Sequence, residues 1–258
     1  MADERTTLNK VPEVTVYFWI IKVLSTAMGE TTSDFLIHRV GLTNKPGLVA
    51  VVLVTGLALA GALVLQSSVR RYVPWIYWLA VALVGVFGTL AADGVHVEFG
   101  VPYLVSSIFF GVVLAGVFAA WYAFEKTLSI HTIVTRRREF FYWTVVMTTF
   151  ALGTATGDMT AFTLRLGFFS SGLLFAAAIA VPALAYRWLR LNAVLAFWLA
   201  YILTRPLGAS FADWVAASYR GGLGVGFGVV SLLLASVIIA FVAYLTLTKR
   251  DVRGSEEG

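Results

Sequence analysis

Eight long apolar runs alternate with short polar connections along the chain, at roughly 14–36, 47–67, 74–95, 101–124, 139–160, 166–186, 191–214 and 222–247. Each is near the length of about 20 mostly apolar residues that a helix needs to cross a bilayer. The runs 47–67 and 222–247 carry no charge, whereas 14–36 holds Lys22, Glu30 and Asp34. The pattern predicts an all-α polytopic protein, with about eight transmembrane helices in a single transmembrane domain over residues 1–258. Eight such spans leave no room for a soluble domain. The polar ends, MADERTTLNKVPEV and TKRDVRGSEEG, read as solvated, mobile tails. Acids in the N-terminal stretch set it apart from a signal-peptide n-region.

Composition agrees with this reading. Hydrophobic residues make up 59% of the chain and charged residues 13%, against about 45–50% and 25% in soluble domains. A soluble enzyme, a disordered chain and a nucleic-acid-binding domain are thereby excluded, although the net charge is +5. The basic residues flank the apolar runs, as membrane-boundary charge does. Thirteen Lys and Arg fall in the two tails and the even-numbered loops, and four (Arg39, Lys45, Arg165, Arg220) in the odd-numbered ones. That bias predicts both termini in the cytoplasm. There is no cysteine, so disulfides, thiolate metal sites and cysteine nucleophiles are all removed.

The apolar runs also repeat. Trp19, Trp78, Trp143 and Trp198 each follow an aromatic residue (Phe18, Tyr77, Tyr142, Phe197). Ten residues beyond each Trp stands a glycine (Gly29, Gly88, Gly153, Gly208), and five further an aspartate (Asp34, Asp93, Asp158, Asp213). From composition, that Gly and Asp would follow a given Trp with a probability of about 0.002, and a recurrence of this kind marks internal duplication. The expected units are approximately 12–68, 72–126, 137–188 and 191–248. Each holds two spans, so all four run in the same direction as parallel two-helix repeats.

The residue after each glycine precedes its aspartate by four and shares its helical face. That face carries Glu30 with Asp34, Thr89 with Asp93, Thr154 with Asp158, and Ala209 with Asp213. Intramembrane carboxylates are expensive and usually face a cavity, a counter-charge or an ion. Oxygen-only ligands suit hard cations or protons. Glu30, Asp34, Asp93, Asp158 and Asp213, with Thr89 and Thr154, are therefore the candidate cation- or proton-binding residues, and the five acids the candidate metal ligands. Lys22 and Arg205 are the candidate compensating or gating charges. Lys22 is expected to pair with an acid or reach the cytoplasm, and Arg205 to neutralise an aspartate. The four glycines read as helix-packing positions or as breaks exposing backbone carbonyls.

The opening KVPEVTVYFWIIKVLSTAMGETTSD and the run Arg205-Pro206-Leu207-Gly208-Ala209 resemble a family of bacterial multi-pass membrane proteins. That family is built from four copies of a repeat of unknown function, and the resemblance covers the chain between its tails. It implies a four-repeat protein of the bacterial cytoplasmic membrane and supplies no activity. The residues point to a non-enzymatic transporter of a small cation, a divalent metal such as manganese, with proton coupling. The expected partners are lipid and a cation or proton, with no nucleic acid and no resident cofactor. The competing expectation is a scaffold or sensor whose acids only pair helices.

Overall fold

The computed structural model describes residues 9–41 and 45–252. They form eight long helices: α1 (Val16–Leu36), α2 (Lys45–Ser68), α3 (Pro74–Phe99), α4 (Tyr103–Glu125), α5 (Arg136–Asp158), α6 (Gly167–Trp188), α7 (Ala193–Ala216) and α8 (Phe227–Thr248). Local chemistry sets the starts. Thr15 accepts from Phe18 N–H, Thr135 from Arg138 N–H, and Asn192 from Val194 N–H at 2.9 Å, each satisfying an otherwise orphaned donor of the first turn. α3 instead begins at Pro74, whose missing N–H is no loss there. α1 and α5 run into single π-helical turns, Ile37–Gly41 and Met159–Thr163.

Six of these helices are long and apolar enough to cross a membrane. The other two, α1 and α5, carry more charge, including Lys22, Glu30, Asp34, Glu139 and Asp158. Their position explains this. α1, α3, α5 and α7 each pack on two neighbours and close a ring, and the even-numbered helices lie outside it. Ring helices bury their polar faces against one another. Outer helices expose apolar side chains such as Leu57, Val112 and Leu232. The chain is thus a membrane-embedded, all-α repeat protein. Each outer helix packs mainly on the inner helix of the next repeat: α2 on α3, α4 on α5, α6 on α7, and α8 back on α1.

The repeated aromatic residues form a belt with the same cyclic order. Phe18 meets Trp78, Tyr77 meets Trp143, Tyr142 meets Trp198, and Phe197 meets Trp19, with ring centroids 5.6–6.3 Å apart. All four are tilted pairs, and such contacts at this separation each add to the apolar burial. The repeated glycines follow the same rule. A Cβ on Gly29, Gly88, Gly153 or Gly208 would press on Gly85, Phe150, Arg205 or Thr26 respectively, the residue three before the glycine of the next repeat. The helices pass through these glycines unbroken. Close packing, not a backbone break, is their role.

The tails depart from expectation. Residues 1–8 and 253–258 lie outside the described residues, but 9–14 are docked as a strap across one end of the ring. Lys10 N–H donates to Ile133 O, Tyr72 N–H to Asn9 O, and Glu13 N–H to Asp251 O. Lys10, counted from sequence as tail charge, is buried and ion-paired to Glu139 at 2.6 Å. Tyr72 donates its hydroxyl to Asp251 at 2.5 Å. Burial is the main influence on the Asp251 carboxyl and holds it above the usual carboxylate range. Both described ends of the chain therefore meet at one end of the bundle. The repeat aspartates sit at the other.

Candidate carboxylate centre on the ring axis

The buried stripe of each ring helix advances four residues at a time, so equivalent positions stack in layers along the axis. Nearest the strap, Tyr77 and Tyr142 hydrogen-bond through their hydroxyls at 2.5 Å. Next come Lys22, Val81, Val146 and Tyr201, all buried. Lys22 Nζ stands 4.3 Å from the ring centroids of both Phe150 and Tyr201 and has no hydrogen-bond partner among the described residues. It neither pairs with an acid nor reaches solvent, contrary to both sequence expectations. Tyr201 at its level and Phe150 one layer on supply aromatic faces instead of a carboxylate, and cation–π contact is its only compensation among the described residues.

The next layer holds Thr26, Gly85, Phe150 and Arg205. The first two are small and leave the axis free for the long arginine, which lies over the Phe150 ring. Arg205 is fully buried. Its Nη1 donates to Thr26 O at 3.3 Å. Its Nη2 faces Glu30 Oε2 at 2.5 Å, Thr154 Oγ1 at 2.8 Å and Thr89 Oγ1. Glu30, Thr89 and Thr154 are the residues after the repeat glycine in the first three units. The fourth unit has Ala209 there and contributes the arginine. Arg205 therefore neutralises Glu30, and the expectation of an aspartate is corrected. The aspartates lie one further layer away, beyond direct reach of the guanidinium.

In that outer layer, one carboxylate oxygen from each of Glu30, Asp34 and Asp213 lies within 4.8 Å of the others. Asp213 is buried, its carboxyl lies against that of Asp34, and its Oδ1 meets no N–H or hydroxyl donor among the described residues. Asp93 and Asp158 are half-buried. They sit within electrostatic reach of Glu30, of Arg205 and of one another, but they do not join the tight group. Two apolar grooves, of about 640 and 600 Å³, open between inner and outer helices; neither is lined by a carboxylate.

The periodic geometry has a counterpart among known sequences. The family model described as a Repeat of Unknown Function (DUF347) matches four times, over residues 17–72, 76–127, 141–192 and 196–251. The chain belongs to this repeat family. It matches no curated protein and no solved structure. The family's four-copy organisation accounts for the cyclic belt, the glycine contacts and the layered axis.

Sequence reasoning missed the Tyr77–Tyr142 contact, the three-oxygen setting of Arg205 and the aromatic setting of Lys22. Aligning the units by their glycines would have found the first two, because equivalent positions meet at equal depth. The exposed cost of Lys22 gives a test. Lys22→Met removes an unpartnered buried donor while keeping the chain length. It should raise stability in detergent by about 1–3 kcal/mol, the usual desolvation penalty of such a group, read from denaturant unfolding. A loss of stability would show that the ammonium holds the ring together.

Proposed function

We propose that this protein binds a small cation at its intramembrane carboxylates and carries it across the bacterial cytoplasmic membrane, with both termini inside. The reading rests on the group formed by Glu30, Asp34 and Asp213. A hard cation with oxygen ligands at about 2.3–2.6 Å keeps its ligands no more than about 5 Å apart, and these three oxygens, all within 4.8 Å of one another, lie inside that limit. The buried Asp213 carboxyl, which meets another acid and no N–H or hydroxyl donor at its Oδ1, supports a positively charged ligand at this group. Carboxylate-only ligation favours a divalent metal such as manganese, magnesium or calcium over a soft ion. Protons would exchange with the metal at the same carboxylates. The role is non-enzymatic, and the only ligands it calls for are the cation and protons.

One observation favours the competing scaffold reading: the Glu30–Arg205 pair joins α1 to α7 and uses one of the five acids structurally. It leaves Asp213 unexplained. Calorimetry in detergent with manganese, magnesium, calcium and sodium at two pH values separates the readings. The wild type should bind one divalent ion saturably with proton release, and Asp34→Asn and Asp213→Asn should each weaken binding about tenfold or more, a loss of about 1.4 kcal/mol. Binding should then translate into flux in liposomes. If neither the wild type nor the Arg205→Gln variant binds any of these ions, the cation reading is removed and the acids are left as helix partners.

A further inference from the structure

Glu30 belongs to two settings at once. Its Oε2 is held by Arg205 Nη2 at 2.5 Å, and its carboxylate is a member of the Asp34–Asp213 group. Nη2 carries two hydrogens, yet three oxygens from three repeats surround it. That arrangement resembles oxygen ligation of a positive centre more than a set of paired hydrogen bonds. The Nε of Arg205 is buried and has no partner among the described residues, so the guanidinium is fastened at one end and not all round.

We infer that Arg205 is a tethered competitor for the cation: its guanidinium and the ion contend for Glu30, and the ion binds fully only when Arg205 lets go. This rests on the cation reading of the Glu30, Asp34 and Asp213 group. Thr89 and Thr154 then hold the competitor and do not ligate the ion. A binding-competent state that is populated only in part lowers the apparent affinity by that fraction. Arg205 thus sets the affinity of the site and couples ion release to a movement on the axis. The fourth unit's Ala209 fits this division, since a hydroxyl or carboxylate there would lie on the arginine's own helix, one turn beyond it.

Manganese binding to the full chain in detergent tests the inference, with wild type beside Arg205→Gln and Thr154→Val. Arg205→Gln should bind about tenfold tighter or more, and Thr154→Val, which loosens the arginine without touching the three carboxylates, about threefold tighter. If Arg205→Gln does not purify folded, Thr154→Val decides alone. Folded variants that bind no tighter than a binding wild type overturn the competitor and leave the cation reading standing. A silent wild type beside a binding Arg205→Gln supports a complete block by the arginine. Silence in all three sinks the cation reading and the competitor with it.

Discussion

Glu30→Leu is expected to lower stability by about 3–5 kcal/mol, because it strips a buried ion pair of one partner and leaves the other charge uncompensated. The remaining charge is the worse one to strand. Arg205 is fully buried, and a guanidinium does not shed its proton in a protein. With Glu30 gone, two hydroxyls, one carbonyl and the Phe150 face remain against it, and the aspartates act on it only from a layer away. The reverse change, Arg205→Leu, should be milder, since a stranded glutamate can take up a proton. The double variant Glu30→Leu/Arg205→Leu should recover most of the loss, as apolar replacements of buried pairs often do. Denaturant unfolding in detergent, followed by tryptophan fluorescence, reads all three. A double variant that loses as much as the two single variants added together would show that the pair contributes nothing as a pair.

The second large effect concerns backbone proximity. A Cβ on Gly29 would stand 2.8 Å from Gly85 C and 2.9 Å from Gly85 Cα. These are backbone atoms, so no side-chain rotation relieves the clash, and α1 must part from α3. Gly29→Ala should therefore cost about 1–3 kcal/mol, the range for overpacking a tight interior, and Gly29→Leu should block closure of the ring. Gly111 and Gly116 on α4 face open space. Alanine at either should change stability by no more than about 0.5 kcal/mol, as is usual away from packed features. The comparison needs only unfolding curves and gel filtration. A Gly29→Ala protein as stable as Gly111→Ala would mean that the close approach of α1 and α3 is not required.

The eight long helices, the fourfold unit and the acids could be read directly from the residues. The reason is physical: spans follow from apolar length, and duplication leaves Trp, Gly and Asp at fixed offsets. What could not be read is which unit touches which. Glu30 and Arg205 lie 175 positions apart, and nothing local in either segment announces the other. Only closure of the ring brings the first and fourth units side by side. Lys22 looked like a charge in search of an acid because its aromatic neighbours come from α5 and α7. The strap was misjudged for a similar reason. Residues 9–14 are polar by composition, but Lys10 finds Glu139 across the ring end, and a paired charge can be buried where a lone one cannot.

The displaced packing of the outer helices has a consequence for how the molecule is made. α2, α4 and α6 each find their partner in the very next segment to leave the ribosome, but α8 must return to α1. Roughly 190 residues separate those two helices, so at about 5–20 residues per second the first helix waits some 10–40 s for its cover. During that interval α1 presents Lys22, Glu30 and Asp34 without the ring that later encloses them, and it is one of the two helices, with α5, that are not apolar enough to hold themselves in lipid. The nascent chain is therefore most exposed at its beginning until its end arrives. Truncations that remove α8 should be handled by quality control as failures of the first helix and not of the last.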